Sequence, residues 1–246
     1  MSEFMIMIHE SEADEAALEP AETRALLEAR AGYEQRLRAA GAYRDGERLR
    51  PSGEGRRVHR RDGQVRVDVG PFEEKALGAY YVVEAPSLDE AVTLAQSCPV
   101  SPGAECYVRP VMRGDLSADK ASQPGRVFAF AVLGNAPNER AWVELMDGIQ
   151  EITREARTHG GYDEIAGFPA ARRLGGVRLE PPSRGRRVVN TGGRRAVFDG
   201  PFLESKEVIG GLFFMHMISL EAAVQWTREK PFLQYGGTEI RELWRS

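Results

Sequence analysis

Leu49–Phe72, LRPSGEGRRVHRRDGQVRVDVGPF, and Leu179–Phe202, LEPPSRGRRVVNTGGRRAVFDGPF, decide the fold of this chain. At an offset of 130 residues they agree in 11 of 24 columns, including Gly55-Arg56-Arg57-Val58 with Gly185-Arg186-Arg187-Val188. Chance would give about one or two, so the chain carries an internal repeat. The match resumes at an offset of 132, where Leu88-Asp89-Glu90-Ala91-Val92 answers Leu220-Glu221-Ala222-Ala223-Val224. Cys98-Pro99 then answers Lys230-Pro231, and Val108-Arg109 answers Ile240-Arg241. Upstream, Gly41-Ala42-Tyr43 meets Gly160-Gly161-Tyr162 at an offset of 119, so the second copy holds about 11 extra residues near Asp163–Arg173. This divides the chain into a first copy over 1–113, a polar linker over 114–125 and a second copy over 126–246.

Each copy reads as strand, helix, two strands, helix, strand. Phe4–Ile8 and Phe128–Leu133 are short apolar runs fit for buried strands. Leu26, Ala29, Tyr33, Leu37 and Ala40 recur at helical spacing and end at Gly41; Trp142, Leu145, Ile149, Ile152 and Ala156 do the same before Gly160. Residues around Val58–Val67 and Val188–Val197 read as strands interrupted by Gly63 and Gly193. Ala79–Glu84 and Leu212–Ile218 are the next strands. Ser87 with Glu90 forms a capping box for the second helix, which Pro99 ends, and Ser219 and Pro231 repeat that punctuation. Glu105–Val111 and Thr238–Trp244 close the copies. The order βαββαβ predicts an α+β fold of two ferredoxin-like units. An exposed apolar sheet face needs a partner, so the two units are expected to pack sheet to sheet as an intramolecular dimeric α/β barrel. The predicted assembly is a monomer with this internal pseudo-dimer, or a homodimer.

Composition narrows the function. The 246 residues are 42% hydrophobic and 28% charged, with a net charge of −4, which fits a soluble globular protein. No run approaches the roughly 18 apolar residues of a membrane span. The N-terminal apolar stretch is too short for a secretion signal, and Cys98 and Cys106 are too few for a disulfide framework. A cytoplasmic location is therefore expected. The arginines at 56, 57, 60, 61, 184, 186, 187, 194 and 195 lack interleaved aromatic residues, which argues against nucleic acid. His9, His59, His159 and His216 form no metal-ligand pattern, and no dinucleotide, nucleotide or serine-hydrolase loop occurs. Neither a metal nor a cofactor is expected.

Asp199-Gly200-Pro201 is turn chemistry, with Asp bonding nearby backbone, Gly free to take φ > 0 and Pro fixing φ. The same Asp199 is a candidate general base at a cavity mouth, flanked by Glu204 and Lys206. His216, in a strand of bulky apolar residues, is either a cavity acid/base or a satisfied buried imidazole. Arg109 and Arg241 occupy equivalent places in the final strands. They are read either as carboxylate-holding guanidiniums or as edge-strand charges. Tyr80 and Tyr81 are candidates for an aromatic pocket wall.

Asp199-Gly200-Pro201-Phe202, followed by Glu204, Lys206-Glu207 and Gly210-Gly211, closely resembles the DGPF signature of the YCII-related family. Tyr107-Val108-Arg109-Pro110-Val111 and Phe4-Met5-Ile6-Met7-Ile8 are similar to that family's closing and opening segments. The resemblance implies ferredoxin-like units in a dimeric α/β-barrel arrangement, action on small aromatic compounds and a link to signalling. Copy one departs from it, with Val69 where the signature Asp belongs. The family's His-Asp pair is missing too, since Cys98 and Lys230 stand before the late Pro. The resulting expectation is a protein that binds a small ligand, a small aromatic acid among the candidates, between its sheets as a sensor or accessory factor with a protein partner in signalling. An isomerase, lyase or dehydrochlorinase using Asp199, or an interaction module without a ligand, are the alternatives, and the enzyme question stays open.

Overall fold

The computed structural model describes residues 1–116, 125–134, 140–147, 171–191, 194–200, 208–234 and 236–244. The first copy contains β1 (Ser2–Ser11), α1 (Glu12–Ala16), α2 (Pro20–Ala39), β2 (Tyr43–Leu49), β3 (Arg56–Arg61), β4 (Gln64–Val69), β5 (Lys75–Ala85), α3 (Leu88–Ser97) and β6 (Glu105–Gly114). The second contains β7 (Val127–Gly134), α4 (residues 140–147), β8 (Arg172–Leu179), β9 (Arg186–Thr191), β10 (Arg194–Asp199), β11 (Val208–His216), α5 (Leu220–Arg228) and β12 (Gly236–Trp244). The fold is mixed α+β with antiparallel sheets. No helix among the described residues is long and apolar enough to cross a membrane.

Two compact units form, and they do not follow the copies one for one. Unit one comprises Met1–Leu49, Phe72–Val111 and Pro182–Phe202; unit two comprises Arg50–Pro71, Met112–Pro181 and Leu203–Ser246. The β3–β4 hairpin of the first copy thus belongs to unit two, where β3 pairs with β12. Reciprocally, β9–β10 belongs to unit one, where β9 pairs with β6. Strand order in unit one is β2-β5-β1-β6-β9-β10. In unit two it is β8-β11-β7-β12-β3-β4, the same order with copies exchanged at the hairpin.

Two strand readings change. Tyr43–Leu49 and Arg172–Leu179 are strands, although their charged and glycine-rich sequences hide any period of two. The stretch around Val58–Val67 is a hairpin: Asp62 (φ 52°) and Gly63 (φ 76°) make its two-residue turn. Positive φ at both central residues suits the right-handed twist of the flanking strands, and Asp-Gly is a favoured pair for it.

The core of each unit lies between one sheet face and its helices. In unit one Phe4, Ile6, Ile8, Tyr81 and Val83 meet Tyr33 and Leu37 of α2 and Ala91, Val92 and Ala95 of α3. Helix α2 starts at Pro20, with a capping box between Glu19 and Glu22, and stops before Gly41 at φ 69°. Its inward stripe is Leu26, Arg30, Tyr33 and Leu37, while Ala29 and Ala40 face solvent. An arginine therefore replaces alanine in the expected apolar face. Helix α3 begins as read, with the Ser87 hydroxyl accepting from the Glu90 amide at 3.2 Å. In unit two Phe128, Phe130, Met215 and Met217 meet Trp142, Leu145 and Met146 of α4 and Ala223 and Trp226 of α5. The β1–β5 register slips at Ile8/His9 and the β7–β11 register slips between Ile209 and Gly211, so Gly78 and Gly210 are matching bulge residues. The α4 continuation through Ile149, Ile152 and Ala156, Gly160, and most of the linker lie outside the described residues.

Candidate functional site

Asp199 and Gly200 of the signature close the open end of the β9–β10 hairpin. Asp199 stands opposite Arg186, and its Oδ1 lies 2.7 Å from the Arg186 Nε, with the Asp199 side chain 81% exposed. The Gly200 amide donates to the Gly185 carbonyl at 3.2 Å, and a Cβ at Gly200 would overlap the Pro182 carbonyl. Gly70 repeats this closure against the Ser52 carbonyl, with Val69 opposite Arg56 where copy two has the ion pair. Close backbone approach requires the glycine in both hairpins. Asp199 is thus an exposed ion-paired carboxylate, and Glu204 and Lys206 lie outside the described residues.

Arg109 and Arg241 are each 2% exposed and sit on interior strands, β6 between β1 and β9, and β12 between β7 and β3. The edge-charge reading is therefore replaced. Arg241 donates from Nε to the Arg50 carbonyl at 2.8 Å and from Nη2 to the same oxygen, with its Nη1 3.5 Å from Glu239. Its Cγ packs on Gly55, and the Arg109 Cγ packs on Gly185 in the same manner. Both arginines brace the chain entering a hairpin. His216 is half-buried at the end of β11, opposite Val127 and Arg172, with Nε2 against the Gly125 backbone.

Tyr80 and Tyr81 point to opposite faces of β5, so they do not share a wall. Tyr81 joins the helix-side core and meets Tyr33 edge-on at 5.2 Å. Tyr80 shares the other face with Arg109, in line with Met5 and Met7 of β1, and donates to Asp45 Oδ2 at 2.8 Å. Burial first, and the neighbouring Asp45 carboxylate second, push the Tyr80 phenol well above its ordinary value. Burial likewise pushes up both buried cysteine thiols, Cys106 to about 12, which disfavours the thiolate form.

The sequence reading missed a polar cluster on the helix side of unit one. Alternation along β1 carries Ile6 and Ile8 into the core and Glu10 after them, where it is 2% exposed. Glu10 Oε1 accepts from Arg30 Nη2, from the Ser101 amide at 3.2 Å and from the Ser101 hydroxyl at 2.9 Å. Arg30, 5% exposed, also donates from Nε to the Pro99 carbonyl at 3.3 Å. Its Nη1 lies 3.7 Å from Glu15, which Arg48 holds at 2.6 Å. Glu10 Oε2 and Arg30 Nη1 are among the buried polar atoms that find no hydrogen-bond partner among the described residues. Oε2 faces Gly78, where a Cβ would come within 2.8 Å of it.

Unit two fills the matching place with hydrocarbon. Gly134 stands where Glu10 does, and Leu233 where Ser101 does. The space over Gly134 is taken by Leu145, and that over Gly210 by Met146 and Trp142. One signal for the cluster was present in the sequence, an arginine at i+4 from Leu26 and i−3 from Tyr33 in an otherwise apolar stripe. Ser101 carried none. The arrangement offers one buried acceptor beside one buried donor. Among the described residues no group of three or more His, Cys, Asp or Glu side chains could hold a metal ion.

Two antiparallel units of matching strand order, with a buried ionic cluster in one of them, define a duplicated α+β protein. The chain belongs to the family described as the YCII-related domain, whose profile matches residues 2–113 and 172–246. No curated protein matches the chain. Among solved structures, a chlorite dismutase variant from Candidatus Nitrospira defluvii aligns with a TM-score of 0.42 and 10% identity, covering 100% of this chain and 93% of its own. A heme-binding protein from Thermus thermophilus aligns with a TM-score of 0.36 and 9% identity, covering 99% of this chain and 90% of its own.

Proposed function

We propose that this protein binds a small polar molecule in unit one, at the Glu10–Arg30–Ser101 cluster, and acts through that binding as a sensor or accessory factor. The observation that carries the reading is the bare Oε2 of a carboxylate only 2% exposed. Buried polar atoms are nearly always hydrogen-bonded, and leaving one unmade costs about 1–3 kcal/mol. A ligand group that donates to Oε2 and accepts from Arg30 Nη1 would remove that cost. Tyr33, Tyr81 and Cys98 in the adjoining core favour a ligand with an aromatic or otherwise apolar body. A small aromatic acid or amide has both features.

The fold reading that supports this has two ferredoxin-like repeats, 1–113 and 126–246, joined by 114–125, with their hairpins exchanged. Within unit one the order β2-β5-β1-β6 is that of a split βαβ unit, and it puts the end of β1 beneath the first helix.

The test is a thermal-shift screen of the full chain against small aromatic acids and amides, with Glu10→Gln and Ser101→Ala alongside. A ligand at about 100 times its dissociation constant adds roughly 2.7 kcal/mol. A shift lost in both variants supports the site; a shift that both retain places the ligand elsewhere. The same bare oxygen favours a second reading, proton transfer to Glu10 as general base, which moves that role from Asp199. Turnover of the screened ligand, abolished by Glu10→Gln with binding retained, would select it.

A further inference from the structure

The outer edge of β4 is built to pair with itself. Strand β4 reads Gln64-Val65-Arg66-Val67-Asp68-Val69 and pairs with β3 in unit two. Its closing pair with β3 is Arg61↔Gln64 across the two-residue turn, so Gln64, Arg66 and Asp68 exchange backbone hydrogen bonds with β3. The amides and carbonyls of Val65, Val67 and Val69 therefore point away from the sheet. Such an edge is a template for another strand, and natural edges are blunted by lysine, proline or bulges. Among the six residues of β4 none of these devices occurs.

An antiparallel pairing of β4 with a second β4 about a two-fold axis at Val67 has a single consistent register. Val67 meets its own copy and Val65 meets Val69, so all three outward backbone positions become hydrogen-bonded pairs. On one face the pair then carries only valines. On the other, Arg66 stands directly opposite Asp68 of the second copy, twice, in the non-hydrogen-bonded positions where side chains come closest. Exposure fits this. Val69 is 61% exposed and the Asp68 side chain 55%, with His59 Nε2 3.6 Å from the Asp68 carboxylate. Val69 occupies the position that Asp199 holds in copy two, so the departure from the signature puts an apolar side chain on the open edge. In the matching strand β10, Asp199 and Arg195 are engaged within their own unit. Asp199 binds Arg186, and Arg195 donates to the Ala95 and Cys98 carbonyls at 2.9 and 2.6 Å.

We propose that the protein forms a two-fold homodimer in which β4 strands of two chains pair antiparallel about Val67, locked by reciprocal Arg66–Asp68 ion pairs. A C2 contact of this kind is self-complementary and closes at two copies.

Sedimentation equilibrium of the full chain tests it. The expected mass is twice the 27.3 kDa of one chain. Arg66→Asp alone and Asp68→Arg alone each set like charges opposite one another twice, and each should weaken dimerisation roughly tenfold or more. The combined R66D/D68R chain exchanges the signs and should dimerise as the parent does. Both positions are exposed, so far-UV circular dichroism should be unchanged in all three. A parent that sediments as 27.3 kDa at every concentration overturns the proposal. So does a dimer indifferent to both single reversals, or one the combined change fails to restore.

Discussion

Where the first helix meets the bulged strand pair, unit one holds Glu10, Arg30 and Ser101, whereas unit two holds Gly134, Leu145, Met146 and Leu233. The strand order around it is the same, and each unit has a glycine at the bulge. Hydrocarbon is the less demanding filling, because attraction within a buried ion pair rarely offsets the desolvation of both charges. Unit two thus shows what folding alone asks of this position. The ionic version in unit one, with one carboxylate oxygen left bare, is the filling that the proposed ligand would complete.

The largest effects should come from disturbing either filling. Trp226→Ala removes a fully buried indole from the unit-two core and should cost about 3–5 kcal/mol in urea unfolding. Arg30→Met should cost a similar amount, about 3–5 kcal/mol, because it removes the guanidinium that pairs with the buried Glu10. Adding Glu10→Leu to Arg30→Met gives unit one the chemistry of unit two. Stability should return to within about 1–2 kcal/mol of the parent while the ligand response is lost. If the double change is as unstable as Arg30→Met, the two fillings are not interchangeable and the comparison breaks.

Gly70→Ala and Gly200→Ala ask whether the hairpin closures are equivalent. Each adds a methyl group against a carbonyl, Ser52 in one case and Pro182 in the other, and should cost about 1–3 kcal/mol in either unit. Unequal losses would show that the Val69 and Asp199 closures differ in rigidity.

Acid should act on both units through paired carboxylates. Burial raises the Glu105 carboxyl, but hydrogen bonds from Lys75 and Tyr107 and the charges of Lys75 and Arg187 outweigh it, and the net value falls below the ordinary 4.5. In unit two the hydrogen bond from Arg126 holds Glu242 below the same value. Each contribution is present above the unfolded value and is lost as pH falls through the lower folded value. Stability should therefore drop as pH falls below about 4.5, and Lys75→Met should flatten part of that slope. The smallest effect is expected from Asp199→Ala. Its exposed ion pair should be worth less than about 1 kcal/mol, and ligand-induced stabilisation should persist, since the carboxylate serves the hairpin.

Much of the architecture was legible because it rests on local patterns. Apolar runs such as Phe4–Ile8 and the Ser87 cap each signal an element without reference to distant residues, and the repeat at an offset of 130 transfers those readings to the second copy. Strand β2 was not legible, since Tyr43–Leu49 carries four charged residues and a glycine and is held as a strand by pairing with β5. The Glu10 cluster was not legible for a related reason. Asp199 belongs to a recognisable string, whereas Glu10, Arg30 and Ser101 lie far apart in sequence and form a group only when β1, α2 and the loop after α3 converge.

By itself the sequence determined the duplication, the α+β class, the helix caps, the break at Gly63 and membership of the YCII-related family. The class, the caps and the break follow from backbone preferences and side-chain periodicity within one segment, whereas the duplication and the family follow from identities between the two copies and from likeness to a known signature. The tertiary structure alone decided that each hairpin joins the unit of the other copy, that Arg109 and Arg241 brace those hairpins from interior strands, and that Glu10 is buried with one oxygen bare. Those outcomes depend on which strand edges and which charges meet after folding, and hydrogen bonds and desolvation across long sequence separations fix them.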